Sequence, residues 1–198
     1  MAPQPKRSRL PVDERRQQLL DLATELFAER TYEEISVDEI AQAAGISKGL
    51  LYHYFPSKRA FYVAAVRHAA QQLLDDTNVE AAPGQPPSAD AMRAGVDRYL
   101  AFVERSSTAY AFLLRGGMAA DPKVQSILEE TRQAFLDRMM ADVGAVGDAA
   151  RLRTALRGYI AFVEAASLDW LEHRDLSRDA LADLMVNTCV SLVSLALS

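Results

Sequence analysis

Apolar residues recur at intervals of three and four along most of the chain. The first such run places Leu19, Leu20, Ala23, Leu26 and Phe27 on one stripe, the spacing of an amphipathic helix. Asp13 is positioned to cap its start and Thr31-Tyr32 to end it. Ser36-Val37-Asp38-Glu39 has the form of a capping box. In that motif the serine oxygen accepts from the backbone N–H three residues on, and the glutamate reaches back. The short helix that follows turns Ile40, Ala41 and Ala44 inward. Gly45 stops it, because glycine tolerates the left-handed conformation of a sharp turn. Ser47 caps a second short helix, Lys48 to Tyr54. Pro56-Ser57 breaks that one, and Ser57 caps a longer helix from Lys58 to about Asp76.

Ala81 to Ser88 (Ala-Ala-Pro-Gly-Gln-Pro-Pro-Ser) is the clearest breaker in the chain. Beyond it every pattern is helical again. One helix spans Ala89 to Ser106 with Val96, Tyr99, Leu100 and Val103 on its apolar stripe, and a shorter one stops at Gly116-Gly117. Asp121-Pro122 opens another, a cap followed by proline at the first helical position, which runs to about Val143. A long helix spans Ala149 to His173, and a last one runs from Ser177 to the C-terminus. No stretch alternates as a strand does. The fold class is therefore all-α with about nine helices. The expected division is a disordered basic arm at 1–12, a helix-turn-helix domain at 13–60, and a helical domain at 61–198.

Charge changes this picture locally. The 198 residues carry 22 Lys and Arg against 27 Asp and Glu, a net charge of −5, which is unpromising for a nucleic-acid partner. The distribution is uneven. Residues 1–70 hold ten basic against nine acidic residues, and the remainder twelve against eighteen. The 35-residue window from Ile40 to Leu74 has no acid at all, while Lys48, Lys58, Arg59 and Arg67 fall inside it. A locally cationic face binds phosphate on an acidic protein, because charges are read within about a Debye length, ~10 Å. The arm, with Lys6, Arg7 and Arg9, reads either as a solvated tail or as a contact to phosphates or the minor groove. No apolar run of spanning length stands out, so no membrane association is expected. A single cysteine, Cys189, allows no intrachain disulfide and fits a reducing cytoplasm.

A helix-turn-helix needs a bracing helix, a tight turn and a second helix that enters the major groove. Ala41 is small where the two helices cross. Gly45 and Ile46 make the turn, and Leu51 and Phe55 face inward, which leaves Lys48, Gly49, Tyr52 and His53 outward. Gly49 costs about 1 kcal/mol against alanine inside a helix, and close approach to DNA would explain it. The run Ile40-Ala41-Gln42-Ala43-Ala44-Gly45-Ile46-Ser47-Lys48-Gly49-Leu50-Leu51-Tyr52-His53-Tyr54-Phe55, then Pro56-Ser57-Lys58-Arg59-Ala60-Phe61, resembles the tetracycline-repressor (TetR) family. The resemblance covers residues 13–65. It departs at Tyr54, where many members carry histidine. The resemblance implies phosphate contacts from Ser36, Ser47, His53, Tyr54 and Lys58, and base contacts from Lys48, Gly49 and Tyr52. Lys58 also opposes the dipole at a helix N-terminus, a mild cost that favours an anionic partner.

The same resemblance implies a C-terminal domain that binds an effector and dimerises through the last two helices, so that two reading helices meet a palindromic double-stranded operator. Candidate pocket residues are Phe102, Tyr110, Phe112, Met118, Phe135, Met139, Tyr159, Phe162 and Trp170. Each alone reads better as ordinary core packing. As a set they suggest a small hydrophobic or aromatic effector, with Glu164 and Asp169 available to orient a polar group. No phosphate-cradling loop, nucleophile elbow or metal-ligand spacing occurs, and His53, His68 and His173 lie far apart. No catalytic residue, cofactor or metal is expected. A ligand-responsive repressor is the leading reading. The alternatives are a DNA-binding activator or constitutive repressor without a small ligand, and an interaction module that keeps the helix-turn-helix only as scaffold.

Overall fold

The computed structural model describes residues 12–79, 87–114, 121–144 and 148–198. Among them it has nine helices and no strand: α1 Val12–Glu29, α2 Val37–Ala43, α3 Lys48–Tyr54, α4 Lys58–Asp76, α5 Ala89–Arg105, α6 Ser107–Leu114, α7 Pro122–Val143, α8 Ala149–His173 and α9 Arg178–Leu197. Most of the basic arm (1–11) and the Gly116-Gly117 stop lie outside the described residues.

Local chemistry sets most helix starts. Ser36 and Glu39 form the full capping box of α2, with Ser36 N donating to Glu39 Oε2 at 2.7 Å and Glu39 N to Ser36 Oγ at 3.2 Å. Ser47, Ser57, Ser88 and Ser177 each accept from the backbone N–H three residues on. Asp121 caps α7 ahead of Pro122. One expectation changes: α1 begins at Val12, so Asp13 lies inside its first turn with Glu14, where carboxylates favour the helix dipole.

Three apolar clusters hold the helices together. The first joins Leu19, Ala23 and Phe27 of α1 to Ile40, Leu51, Phe55, Phe61 and Tyr62, and is closed by Val124 and Ile127 of α7. Each such side chain contributes about 1.5–3 kcal/mol by leaving water. Phe61 is edge-on to Phe55 at 5.0 Å, so α4 grips the end of α3 directly. The second cluster, around Leu100, Trp170, Leu181 and Met185, seats α9 on α5 and α8. The third, around Leu136, Leu152, Leu156 and Ala196, packs α7, α8 and α9. α4 therefore belongs to the helix-turn-helix core at its start and to the larger helical body further on.

α9 corrects one expectation drawn from composition. It is 20 residues long with a mean hydropathy of 1.8, long and apolar enough by those measures to cross a membrane. Its fully buried face (Leu181, Ala182, Met185) packs inside the fold, while Leu184, Val190 and Leu195 face outward. Arg93 of α5 bonds to Asp179 at 2.9 Å and also to Asp183, which anchors the start of α9 to the body.

Candidate DNA interface and ligand cavity

α2 and α3 meet at the turn made by Gly45, whose φ is +62°. That left-handed conformation costs a side chain with a Cβ about 1–2 kcal/mol. The turn aims α3 outward. Leu51 and Phe55 are buried, whereas Lys48, Gly49, Tyr52 and His53 are exposed. Tyr52 is 42% exposed. Ser36 and Ser47 stand at the N-termini of the two helices, their oxygens engaged in capping and each hydroxyl still having a proton to donate. His53 packs edge-on against Tyr54 at 5.4 Å, and Tyr54 is half-buried against the first cluster. Seven of the eight residues assigned to DNA contacts thus belong to α3 or to the N-caps of α2 and α3, and the eighth, Lys58, opens α4.

The electrostatics of that face differ from the expectation. Lys48 Nζ is paired with Asp38 Oδ2 at 3.0 Å, both side chains exposed. Arg67 pairs with Glu130 at 2.8 Å. Arg59 holds Asp121 through two bonds, at 2.5 and 2.8 Å, and this guanidinium holds the Asp121 carboxyl below its ordinary value. Three of the four cations in the acid-free window therefore already have carboxylate partners elsewhere in the chain. Lys58 has a partner as well: its Nζ lies 4.2 Å from the centre of the Tyr32 ring. The dipole argument for a phosphate at Lys58 loses its force, because a ring face already stabilises the charge.

Gly49 is exposed on α3. A Cβ built there would meet only Ser47 Oγ, at 4.0 Å, so nothing inside the molecule requires glycine. Gly49→Ala should therefore raise the melting temperature modestly, since alanine is the better helix former by about 1 kcal/mol. The same change should weaken DNA binding, because it places a methyl group on the outer face. Thermal melts and fluorescence anisotropy on one preparation check both signs.

Behind this face a cavity of about 510 Å³ runs through the helical body, with walls from α1 and α4–α9. That volume is typical of small-molecule sites. Ala65, Ala69 and Leu73 of α4 form one wall, and Phe27 and Tyr62 of the first cluster reach into it. Phe102, Tyr110, Phe135, Met139 and Tyr159 line it as expected. Three candidates do not. Phe112 is about 200° around α6 from Tyr110 and is absent from the lining. Phe162 packs against the second cluster. Trp170 is buried there too, its indole N–H donating to the Leu176 carbonyl at 2.9 Å, so it secures the α8–α9 turn. Met118 lies outside the described residues. Glu164 lines the cavity, bonded to Arg132 at 2.8 and 3.0 Å. Asp169 does not; it is exposed on α8 next to His173. Residues absent from the expected set include Tyr99, Arg138, Asp142 and Cys189. Tyr99 was legible as part of the apolar stripe of α5, but not as cavity lining.

Residues 19–65 match the family described as bacterial regulatory proteins, tetR family, and residues 88–192 match the tetracyclin repressor-like C-terminal domain. The chain belongs to the TetR family. It is 30% identical over 181 residues to the transcriptional activator FasR of Mycolicibacterium smegmatis, covering 89% of this chain and 81% of FasR. It is 31% identical over 186 residues to the transcriptional regulator EthR of the same organism, covering 91% and 82%. A solved tetR-family regulator from Streptomyces coelicolor superposes with a TM-score of 0.84 at 34% identity, covering 94% of this chain and 83% of that one. This TetR-family chain is accordingly a DNA-binding transcriptional regulator. Its helix-turn-helix joins the body through α4, with the Arg59–Asp121 pair at the foot of the reading helix.

Proposed function

We propose that this TetR-family regulator is a repressor that binds a palindromic operator as a homodimer and is released by a small hydrophobic effector in the cavity. The cavity carries this reading, because a constitutive binder has no use for some 510 Å³ of apolar space behind its reading helix. An occupant would press on Ala65, Ala69 and Leu73 of α4, and α4 holds α3 through Phe61 and Phe55. Occupancy then shifts the population toward dimers whose two reading helices no longer match the half-sites.

In the bound state Lys48, Gly49 and Tyr52 meet base edges, with Lys48 leaving Asp38. Ser36, Ser47, His53, Tyr54 and Lys58 hold the backbone. The dimer forms through α8 and α9. Gly158, Ala161 and Ala165 are exposed at spacings of three and four on α8, and Leu184 and Leu195 on α9 are 46% and 62% exposed. Small residues on one helix and leucines on the next suit a four-helix contact with a second copy. That symmetry places two α3 helices about 34–36 Å apart, one turn of the duplex.

The test is anisotropy with duplex from the control region of its own gene, across a salt series. Tight binding that weakens steeply with salt is expected, with a single two-fold symmetric footprint. Lys58→Ala should make the log–log salt slope shallower by about 2, at roughly 0.9 per phosphate and one phosphate per protomer. No binding to that DNA at low salt would reject the reading. One observation favours a second reading: the relative FasR is named an activator. In vitro transcription separates the two, since activation predicts more transcript when protein is added.

A further inference from the structure

Four charged side chains line the cavity among the described residues, and they balance: Arg132 and Arg138 against Asp142 and Glu164. Neither guanidinium is free to hold an anion. Arg132 is gripped by Glu164 through two bonds, at 2.8 and 3.0 Å. Arg138 donates to the Leu74 carbonyl at 2.9 Å and to Thr77 Oγ1 at 3.1 Å, at the C-terminal end of α4. Neither carboxylate suits a cation. Glu164 is committed to Arg132, and Asp142, one turn along α7, lies within Coulombic reach of Arg138 and offsets its charge. An ionised ligand would lose its hydration against a wall with no spare counter-charge, and that is costly.

The hydroxyls are different. Tyr99 of α5 and Tyr110 of α6 both line the cavity, their phenol oxygens 2.5 Å apart. Burial raises both phenols, Tyr99 to about 12, so both are protonated at neutral pH. Two protonated phenols share one hydrogen bond: one donates, and the other accepts and keeps its own proton. Ser167 of α8 is wholly buried beside them, close enough to bias their ionisation. Its Oγ is nevertheless outside bonding geometry and has no hydrogen-bond partner among the described residues. The cluster holds more O–H donors than it uses, and its two phenols stand on a wall that is mostly apolar. A group that brings an acceptor and no further donor completes it.

We propose that the cavity takes an uncharged, largely hydrocarbon ligand bearing a carbonyl oxygen, seated at the paired Tyr99 and Tyr110 hydroxyls. This rests on the ligand-responsive reading above and names its ligand class. Calorimetry on the full-length protein tests it with four ten-carbon probes: 2-decanone, n-decane, decanoate and decylamine. The ketone should bind about three- to ten-fold tighter than the alkane, and both ions more weakly than the ketone. Tyr99→Phe and Tyr110→Phe, which keep the rings, should bring the ketone-to-alkane ratio toward one while alkane affinity stays within about twofold. Val163→Trp, which fills the cavity, should weaken all four probes. A wild-type ratio near one would mean that water serves these hydroxyls equally well, and overturns the proposal. So does an ion as the tightest probe, a ratio unchanged in both tyrosine variants, or no binding by any probe. Binding is read without DNA. A ketone that binds as described but leaves operator affinity unchanged supports this ligand class and contradicts the ligand-responsive reading instead.

Discussion

Replacing Lys48 and Tyr52 together by alanine is expected to lower operator affinity by at least about a hundredfold while the protein stays folded and dimeric. Both side chains stand on the outer face of α3, and neither supports the core beneath it, which Leu51 and Phe55 supply. A good base contact is worth about a tenfold preference or more, and the substitution acts in both half-sites at once. Lys48→Ala also removes the exposed pair with Asp38, a pair that contributes little to stability. Helical content and the melting temperature should therefore change little. Lost affinity with an intact dimer assigns α3 to DNA. Retained affinity would mean that α3 is only a scaffold and that another surface is read.

The second large effect is expected from Leu184→Asp with Leu195→Asp on α9. Both leucines are exposed in a single protomer, at 46% and 62%, so the fold of each protomer should survive. The same positions become buried when a second copy covers α8 and α9, and four unpaired carboxylates there would oppose association. Light scattering should show a monomer. Operator affinity should fall about 10²–10⁴-fold, because linked half-site binding is lost. A variant that remains dimeric would place the interface elsewhere.

Features decided within a few residues were legible in the sequence. The capping box at Ser36 and Glu39, the turn at Gly45, and the starts at Ser47, Ser57 and Asp121-Pro122 all depend on neighbours in the chain. The exposed set on α3 followed from helical spacing alone. What the sequence left open depends on contacts between distant segments. Arg59 meets Asp121, and Arg67 meets Glu130, across separations of 62 and 63 residues. No local charge pattern shows such pairs, so the acid-free window read as more cationic than it is. The ring of Tyr32 beneath Lys58 was hidden for the same reason.

The cavity was the hardest feature to read. Aromatic content cannot say whether a side chain faces empty space or a neighbouring helix. Tyr159 lines the cavity, whereas Phe162, one turn along α8, fills the cluster beneath α9. Trp170 was drawn into the expected set by size, yet it closes the α8–α9 turn. Tyr99, treated only as apolar stripe, lines the wall with its hydroxyl paired to that of Tyr110.

Ligand control of DNA binding is tested most directly by operator affinity, measured by anisotropy at one fixed salt concentration, with and without 2-decanone at an occupancy confirmed by calorimetry. Affinity should fall about 5- to 150-fold on occupancy, the usual range for coupling between two sites. Unchanged operator affinity with the cavity occupied would contradict the account.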